Sequence, residues 1–329
     1  MKIMITGGAG FIGLHLTNLL LEEGHEVHLI DNFERAVEDK DLTLALSHKN
    51  SKLIKLDLLN KDEYKYLDDN YDYIFHLAAI IGVQHVLNRP YEVLTKNVEL
   101  LSNIIDLCKS QKNLKRLMFA STSEIYAGTL KYGNLEIPTP ETSTLTLTDL
   151  EEARTSYLLS KIYGEAMCQH SNVPFTIFRP HNFYGPRMGM SHVIPEMLKK
   201  AYTNSTTEEI IAYSSEHTRT FCYIKDAINI IWELARTEDS LNQYYNIGNQ
   251  SPEITIHNLA KEVVNTVGRN VPVIPGEDTP GSPTRRCPNI SKVSSIVEYN
   301  FQYDLQKGIQ ETFEWYRNNV FDNNGVTAK

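Results

Sequence analysis

Three glycines, Gly7, Gly10 and Gly13, fall between an apolar run at residues 2–6 and a helical pattern at 11–23. No other feature limits the fold of this chain as much. Glycines so spaced permit a tight turn, let the backbone approach a ligand, and let a helix pack closely on a strand. The helix start that follows offers free N–H groups and partial positive charge, so the turn suits a pyrophosphate. The spacing alone is common; its position between strand and helix gives it meaning. Eighteen residues beyond Gly13, after a second predicted strand at 26–30, stands Asp31. A carboxylate there accepts bonds from ribose hydroxyls and repels a 2′-phosphate, which favours NAD over NADP, although Arg35 follows closely. Asp57-Leu58 closes a third predicted strand, 52–56, where an adenine edge would fall.

The alternation continues. Predicted strands at 73–77, 116–121 and 175–179 are separated by helical patterns at 90–110 and 156–169. Strands alternating with helices predict an α/β fold, a doubly wound parallel sheet with helices on both faces. The pattern changes after Pro180. Helical stretches at 193–201 and 256–267 stand between loops, and a segment rich in Pro and Gly occupies 271–288. We therefore expect a dinucleotide domain at 1–179, with the chain returning to it at about 217–247. A smaller α/β substrate domain is expected from 180–216 and 248–318, and a loosely ordered polar tail from 319–329.

With 329 residues the chain has ample length for a core. A net charge of −9 argues against a nucleic-acid surface, so an anionic ligand must be met by local arginines. The four cysteines lack C-x-x-C spacing; they read as buried thiols in a reducing cytoplasm, and no metal is expected. No charged leader with an apolar stretch opens the chain, and no apolar run approaches the ~20 residues of a membrane helix.

Chemistry enters at Tyr157-Leu158-Leu159-Ser160-Lys161. Residues four apart share a helix face, so the Lys161 ammonium can favour the Tyr157 phenolate. Such a phenolate can take a proton from an alcohol while a hydride leaves the same carbon.

These motifs occur in order with His76-Leu77-Ala78-Ala79, Asn97, Ser121–Tyr126 and Arg179-Pro180-His181-Asn182-Phe183-Tyr184-Gly185-Pro186-Arg187. Over about residues 2–317 the chain resembles an extended short-chain dehydrogenase/reductase of the nucleotide-sugar epimerase/dehydratase family. The resemblance implies a Rossmann domain holding NAD, with contacts at Gly7, Gly10, Phe11, Ile12, Gly13, Asp31, Asn32, Asp57, Leu58, Leu77, Ala78, Ala79, Asn97, Tyr157 and Lys161. It implies a nucleotide-sugar substrate, a UDP-sugar above others, and a homodimer joined by helices near 97–110 and 157–170. Thr122 matches the hydroxyl that binds the reacting oxygen.

The residues after Thr122 sort the reaction. Sugar 4,6-dehydratases resemble Thr-Asp-Glu here, and simple 4-epimerases usually lack the Glu. Thr122-Ser123-Glu124 is similar to UDP-glucuronate decarboxylases, in which the Glu and an active-site arginine serve carbon loss. The resemblance implies catalytic roles for Tyr157, Lys161, Thr122, Ser123 and Glu124, and substrate contacts at Asn182, Arg187, Arg219 and Arg285. Arg285 lies in Gly281-Ser282-Pro283-Thr284-Arg285-Arg286-Cys287-Pro288, much like the decarboxylases' tail. The chain departs from them at Ala127, in the insertion 128–150, at His181, and over 188–195. These departures leave a 4-epimerase as the alternative reading, with a 4,6-dehydratase or a non-catalytic NAD-binding regulator behind it.

Overall fold

The short apolar runs pair as one parallel sheet. The structure, a computed structural model, describes residues 1–203, 209–279 and 282–322, with the main chain only at 83 and 84. Seven strands, β1 (Lys2–Thr6), β2 (Glu26–Asp31), β3 (Ser51–Lys55), β4 (Tyr73–His76), β5 (Arg116–Ala120), β6 (Phe175–Pro180) and β7 (Gln243–Ile247), lie in the order β7-β6-β5-β4-β1-β2-β3. All neighbours are parallel. The order reverses between β1 and β4, and the crevice beyond their carboxyl ends is where such sheets bind ligands.

Every second residue feeds one of two cores. Ile3, Ile5, Val27, Leu29, Phe75, Met118 and Phe178 enter one. Met4, Ile30, Ile74, Leu117, Phe119 and Ile177 enter the other. This period of two on a sheet covered on both faces explains why the strands read as continuous apolar runs. Seven longer helices follow in chain order: α1 (Phe11–Glu22), α2 (Pro90–Ser110), α3 (Ala153–His170), α4 (Val193–Thr203), α5 (Ile224–Arg236), α6 (Ile256–Val267) and α7 (Leu305–Tyr316). Helices α1 and α5 cover the first face and α2 and α3 the second. Trp232 of α5 is anchored edge-on against Tyr73, and its indole N–H donates to Glu23 at 2.7 Å.

Helices α4, α6 and α7 pack together beside the sheet, with Ile210–Ala212 paired parallel to Val273–Pro275. Between the two groups lies a small ribbon, with Thr218–Arg219 between Ile254–Thr255 and Arg285–Arg286. Within 217–247, β7 joins the main sheet and α5 covers its first face, while Thr218–Arg219 belongs to the ribbon and Cys222–Tyr223 pairs with Phe183–Tyr184. Two short helices, Lys40–Leu46 and Val83–Asn88, fall within stretches that sequence periodicity leaves blank.

The tail also differs from expectation. Residues 317–321 continue α7 as a π-helical turn, and Phe321 stacks on Tyr202 at 5.4 Å and on Tyr316 at 5.7 Å. An aromatic anchor in a polar stretch keeps it packed as far as 322. Residues 323–329 of the expected tail, and Pro280-Gly281 of the proline-rich segment, lie outside the described residues.

The insertion at 128–150 folds back on its own helix, Ala127–Lys131, where the Thr129 hydroxyl donates to the Thr144 carbonyl at 2.5 Å. Thr139 then bridges two elements. Its N–H donates to Cys287 O at 2.8 Å, and its carbonyl accepts from Asn289 N at 2.8 Å and from the Asn246 amide at 2.9 Å. The insertion thus ties β7 to the segment that carries Arg286.

Candidate active site

The glycine turn joins β1 to α1. Gly7 has φ +68°, a left-handed conformation that favours glycine, and its N–H donates to Ile30 O at 2.8 Å. A Cβ on Gly13 would lie 2.3 Å from the Gly7 carbonyl, and one on Gly7 would lie 3.0 Å from Ala78 N. The glycines therefore let the turn, the start of α1 and the 77–78 main chain pack closer than side chains would allow, leaving bare backbone along the turn. From it a cleft of about 320 Å³ runs past Gly7, Gly10, Phe11, Ile12 and Gly13 to Asp31 and Asn32, then to Asp57 and Leu58, with Leu77, Ala78 and Ala79 on its other wall. The Asp31 carboxylate accepts from Ala9 N at 3.1 Å and Phe33 N at 2.9 Å. Burial raises its pKa, and those two donors oppose the rise.

The far wall is fixed from behind. The Thr6 hydroxyl accepts from both Leu77 N and Ala78 N at 3.2 Å. Asn97 uses its whole amide on the main chain of Ile80, at 2.7 and 3.0 Å, and reaches Ser160 of α3 at 3.4 Å. It holds the wall rather than facing the cleft. The residues present fit a dinucleotide: a bare glycine turn at a helix start, and an acid at the second strand's end.

Helix α3 brings Tyr157 and Lys161 to the end of β5. Lys161 is 5% exposed, and its Nζ donates to Ala120 O at 2.8 Å while lying 5.8 Å from the centre of the Tyr157 ring. Burial pulls its pKa down to about 8. Burial first, then the Glu124 charge, pushes the Tyr157 phenol well above its ordinary pKa; a hydrogen bond from Thr122 and the Arg35 charge oppose this. Thr122 caps the turn Ser123–Tyr126, its Oγ1 accepting from Glu124 N at 3.2 Å, and Ser123 is buried in that turn.

Glu124 meets Arg286 across the gap to the ribbon, with Oε1 2.6 Å from Nη2. The Arg286 guanidinium holds this carboxyl below its ordinary pKa against burial, with Arg154 and Arg219 adding to it. Arg219, 8% exposed, donates to Thr218 O at 2.7 Å and Ser282 Oγ at 3.2 Å. Burial and the Arg286 charge bring its pKa down to about 10. Arg219 and Arg286 are register partners on adjacent parallel strands, so their side chains share a face.

Arg285, one residue earlier, pairs with Thr218 on the opposite face. There it makes a two-point ion pair with Glu253 at 2.7 and 2.8 Å, near solvent. The structure therefore sets Arg286, not Arg285, beside Glu124, because a one-residue shift along a strand reverses the face. Arg187 also stands apart: its guanidinium bonds Asp39 at 2.6 Å and carbonyls of the cofactor half. Asn182 has φ +46° and donates to Thr220 O at 2.8 Å, which fixes the loop leading to Arg219.

A buried network behind the Ser121–Tyr126 turn was not anticipated from sequence. Glu165 of α3 accepts from Ser121 Oγ at 2.5 Å and from Arg179 at 2.9 and 2.6 Å. Arg179 Nη1 donates to the Tyr126 hydroxyl at 2.6 Å, which donates to Asn246 Oδ1 at 3.0 Å. His181 Nε2 lies 3.2 Å from the same oxygen and must donate to it, since Oδ1 only accepts. The available signal was an arginine closing an otherwise apolar strand, and an acid one turn beyond Lys161.

Sheet, glycine turn and cleft together define a dinucleotide-binding α/β protein. The chain belongs to the NAD dependent epimerase/dehydratase family, whose profile it matches over residues 3–248. Among curated proteins it is similar to the UDP-N-acetyl-alpha-D-glucosaminuronate decarboxylase of Bacillus cytotoxicus, with 28% identity covering 96% of this chain and 98% of that one. It is also 28% identical to UDP-glucuronic acid decarboxylase 1 of Xenopus tropicalis, covering 96% of this chain and 72% of that one. Among solved structures, the UDP-glucuronic acid 4-epimerase of Bacillus cereus with UDP-glucuronic acid and NAD gives a TM-score of 0.77 at 25% identity, covering 97% and 99% of the chains. The UDP-N-acetylglucosamine 4-epimerase of Methanobrevibacter ruminantium gives a TM-score of 0.83 at 24% identity, covering 96% and 98%, a likeness of fold.

Proposed function

We propose that this enzyme converts a UDP-hexuronate to a UDP-pentose and CO2, oxidising sugar C4 and reducing it again. The observation that carries the proposal is the Glu124–Arg286 ion pair, with Arg219 beside it, set next to Tyr157 and Thr122. NAD, when bound, accepts the C4 hydride and later returns it. In this proposal the contacts of the glycine turn, Asp31, Asn32, Asp57 and the wall 77–79 hold it. Residues 1–179 with 217–247 form its domain, and 180–216 with 248–318 form that of the nucleotide sugar.

Tyr157 takes the C4 hydroxyl proton, with Thr122 bonded to the reacting oxygen. Its phenol is protonated in the free protein, so the nearby Lys161 ammonium must favour the phenolate. The C4 ketone stands β to the C6 carboxylate. The C5–C6 bond then breaks, its electron pair enters an enolate on the ring, and CO2 leaves. Arg286 or Arg219 orients the uronate carboxylate, and the Glu124 carboxylate, ionised in its pair with Arg286, holds the water whose proton returns to C5 as CO2 leaves. Ser123, in the same turn, completes the set. The diphosphate falls to Asn182 and to the ribbon arginine left free. Decarboxylases among the relatives support a substrate with a C6 carboxylate.

Two variants test these roles. Tyr157→Phe is expected to abolish turnover while NAD stays bound, because the glycine turn is untouched. Glu124→Gln is expected to keep C4 oxidation, seen as reduced-cofactor absorbance, while slowing CO2 release by roughly a hundredfold or more. An unchanged rate of CO2 release removes Glu124 from the mechanism.

The proposal extends to a cytoplasmic homodimer joined through α2 and α3. Tyr91 on α2, 78% exposed, and Tyr163 on α3, 54% exposed, support it, as do four buried cysteines free of disulfides. Sedimentation at twice 37.6 kDa is the expected result, and a monomer contradicts it. Among the described residues no helix is long and apolar enough to cross a membrane.

A further inference from the structure

Arg187 is 5% exposed and spans the two halves of the molecule. It lies in the loop after β6, yet every acceptor it meets belongs to the cofactor half. Nε donates to Asp39 Oδ2 at 2.6 Å, Nη1 to the Ala9 and Gly10 carbonyls at 3.1 and 3.3 Å, and Nη2 to the Val37 carbonyl at 3.3 Å. Two of those carbonyls sit in the glycine turn. Val37 and Asp39 sit at the end of the loop after β2, whose residues Glu34, Arg35 and Ala36 line the cofactor cleft. Arg187 has φ +66°, a conformation rare outside glycine and held here by bonds on three sides.

The contact is braced from both ends. Asp39 turns its other oxygen to Leu42 N at 2.9 Å and so caps the helix Lys40–Leu46. Trp315 of α7 donates to Asp41 in that helix at 2.6 Å. His15 of α1 lies 3.0 Å from the Pro186 carbonyl, and the Tyr316 hydroxyl donates to the Met188 carbonyl, so the Arg187 loop is held on either side. A planar guanidinium with fixed donors suits such a four-point contact, and lysine could not reproduce it.

We infer that Arg187 is the pin of a clasp that holds residues 32–39 against the glycine turn, and that this clasp sets how slowly NAD leaves. A dinucleotide lying along the turn, with 34–36 as one wall, departs only if that wall lifts. Lifting it strips a buried guanidinium of the Asp39 carboxylate and the Val37 carbonyl at once. The inference rests on the family's cofactor and not on the proposed sugar chemistry, so its test contains no sugar.

The experiment is a chase. NADH bound to the full chain is displaced by excess NAD, and its fluorescence decay gives the release rate. Asp39→Asn removes the charge but keeps an oxygen able to cap the helix, and Arg187→Lys keeps the charge but loses the fork. Each is expected to speed release roughly tenfold, the scale of one charge-assisted hydrogen bond. The double variant is expected to be no faster than the faster single, since both break one contact. Lys61→Ala, which cuts an exposed ion pair with Asp106, serves as the control and leaves the rate alone. A thermal melt of each apoprotein checks the fold. A gain below about fivefold in Asp39→Asn overturns the inference, whether or not the melt has shifted and whether or not Arg187→Lys folds.

Discussion

Burial acts on Tyr157 and Lys161 with opposite signs: it keeps the proton on the phenol and loosens the one on the ammonium. The lysine carries the measurable consequence. Its pKa falls from 10.5 when unfolded to about 8 when folded, so the folded state bears a penalty of about 3 kcal/mol wherever both states are charged, that is below pH 8. The penalty fades as pH rises towards 10.5 and is gone above it. Urea titration of the apoprotein should show wild type gaining on Lys161→Met across that window. Parallel curves would contradict the buried charge. Both residues are legible in sequence because four residues along a helix is a local relation. Arg286 is not: only its register against Arg219 decides which of two adjacent arginines meets Glu124, and a two-residue strand leaves no periodic trace.

Helix α3 positions this chemistry, and Gly164 sets how near it lies to the sheet. A Cβ there would fall 2.7 Å from Phe119 Cζ and 3.0 Å from Leu101 Cδ2. Phe119 is 2% exposed and cannot yield freely. Gly164→Ala is therefore expected to cost about 1–2 kcal/mol despite alanine's better helix propensity, and to lower turnover by displacing Tyr157. A Tm equal to wild type would show that α3 has slack. Elements of this size are readable from sequence, since β1 to β6 and α1 to α3 each bury apolar residues at their own period. The ribbon and the helix Lys40–Leu46 depend on a cap and on distant partners, as does the clasp that Asp39 shares with Arg187.

At the scale of the whole molecule, His15, His76 and His181 are kept neutral. Burial lowers His15 to about 4 and His76 and His181 to about 3, from 6.5 when unfolded. Their share of the stability is complete above pH 6.5 and drains as pH falls towards the folded values. By pH 5 each withdraws roughly 2 kcal/mol, in a range where carboxylates hardly titrate. Urea midpoints should therefore fall steadily between pH 6.5 and 5, and a flat profile would contradict their neutrality. The domain that holds NAD follows from alternation along the chain. The site needs that sheet, the insertion at 128–150 and the ribbon brought together, and this assembly is long-range. Whether the assembled pocket removes a carboxylate is measured most directly with UDP-glucuronate and UDP-N-acetylglucosaminuronate labelled at C6, each incubated with the enzyme and NAD. Labelled CO2 in equal amount to a UDP-pentose is the outcome expected for at least one of them; label retained in a sugar of unchanged mass would contradict decarboxylation and point to 4-epimerisation.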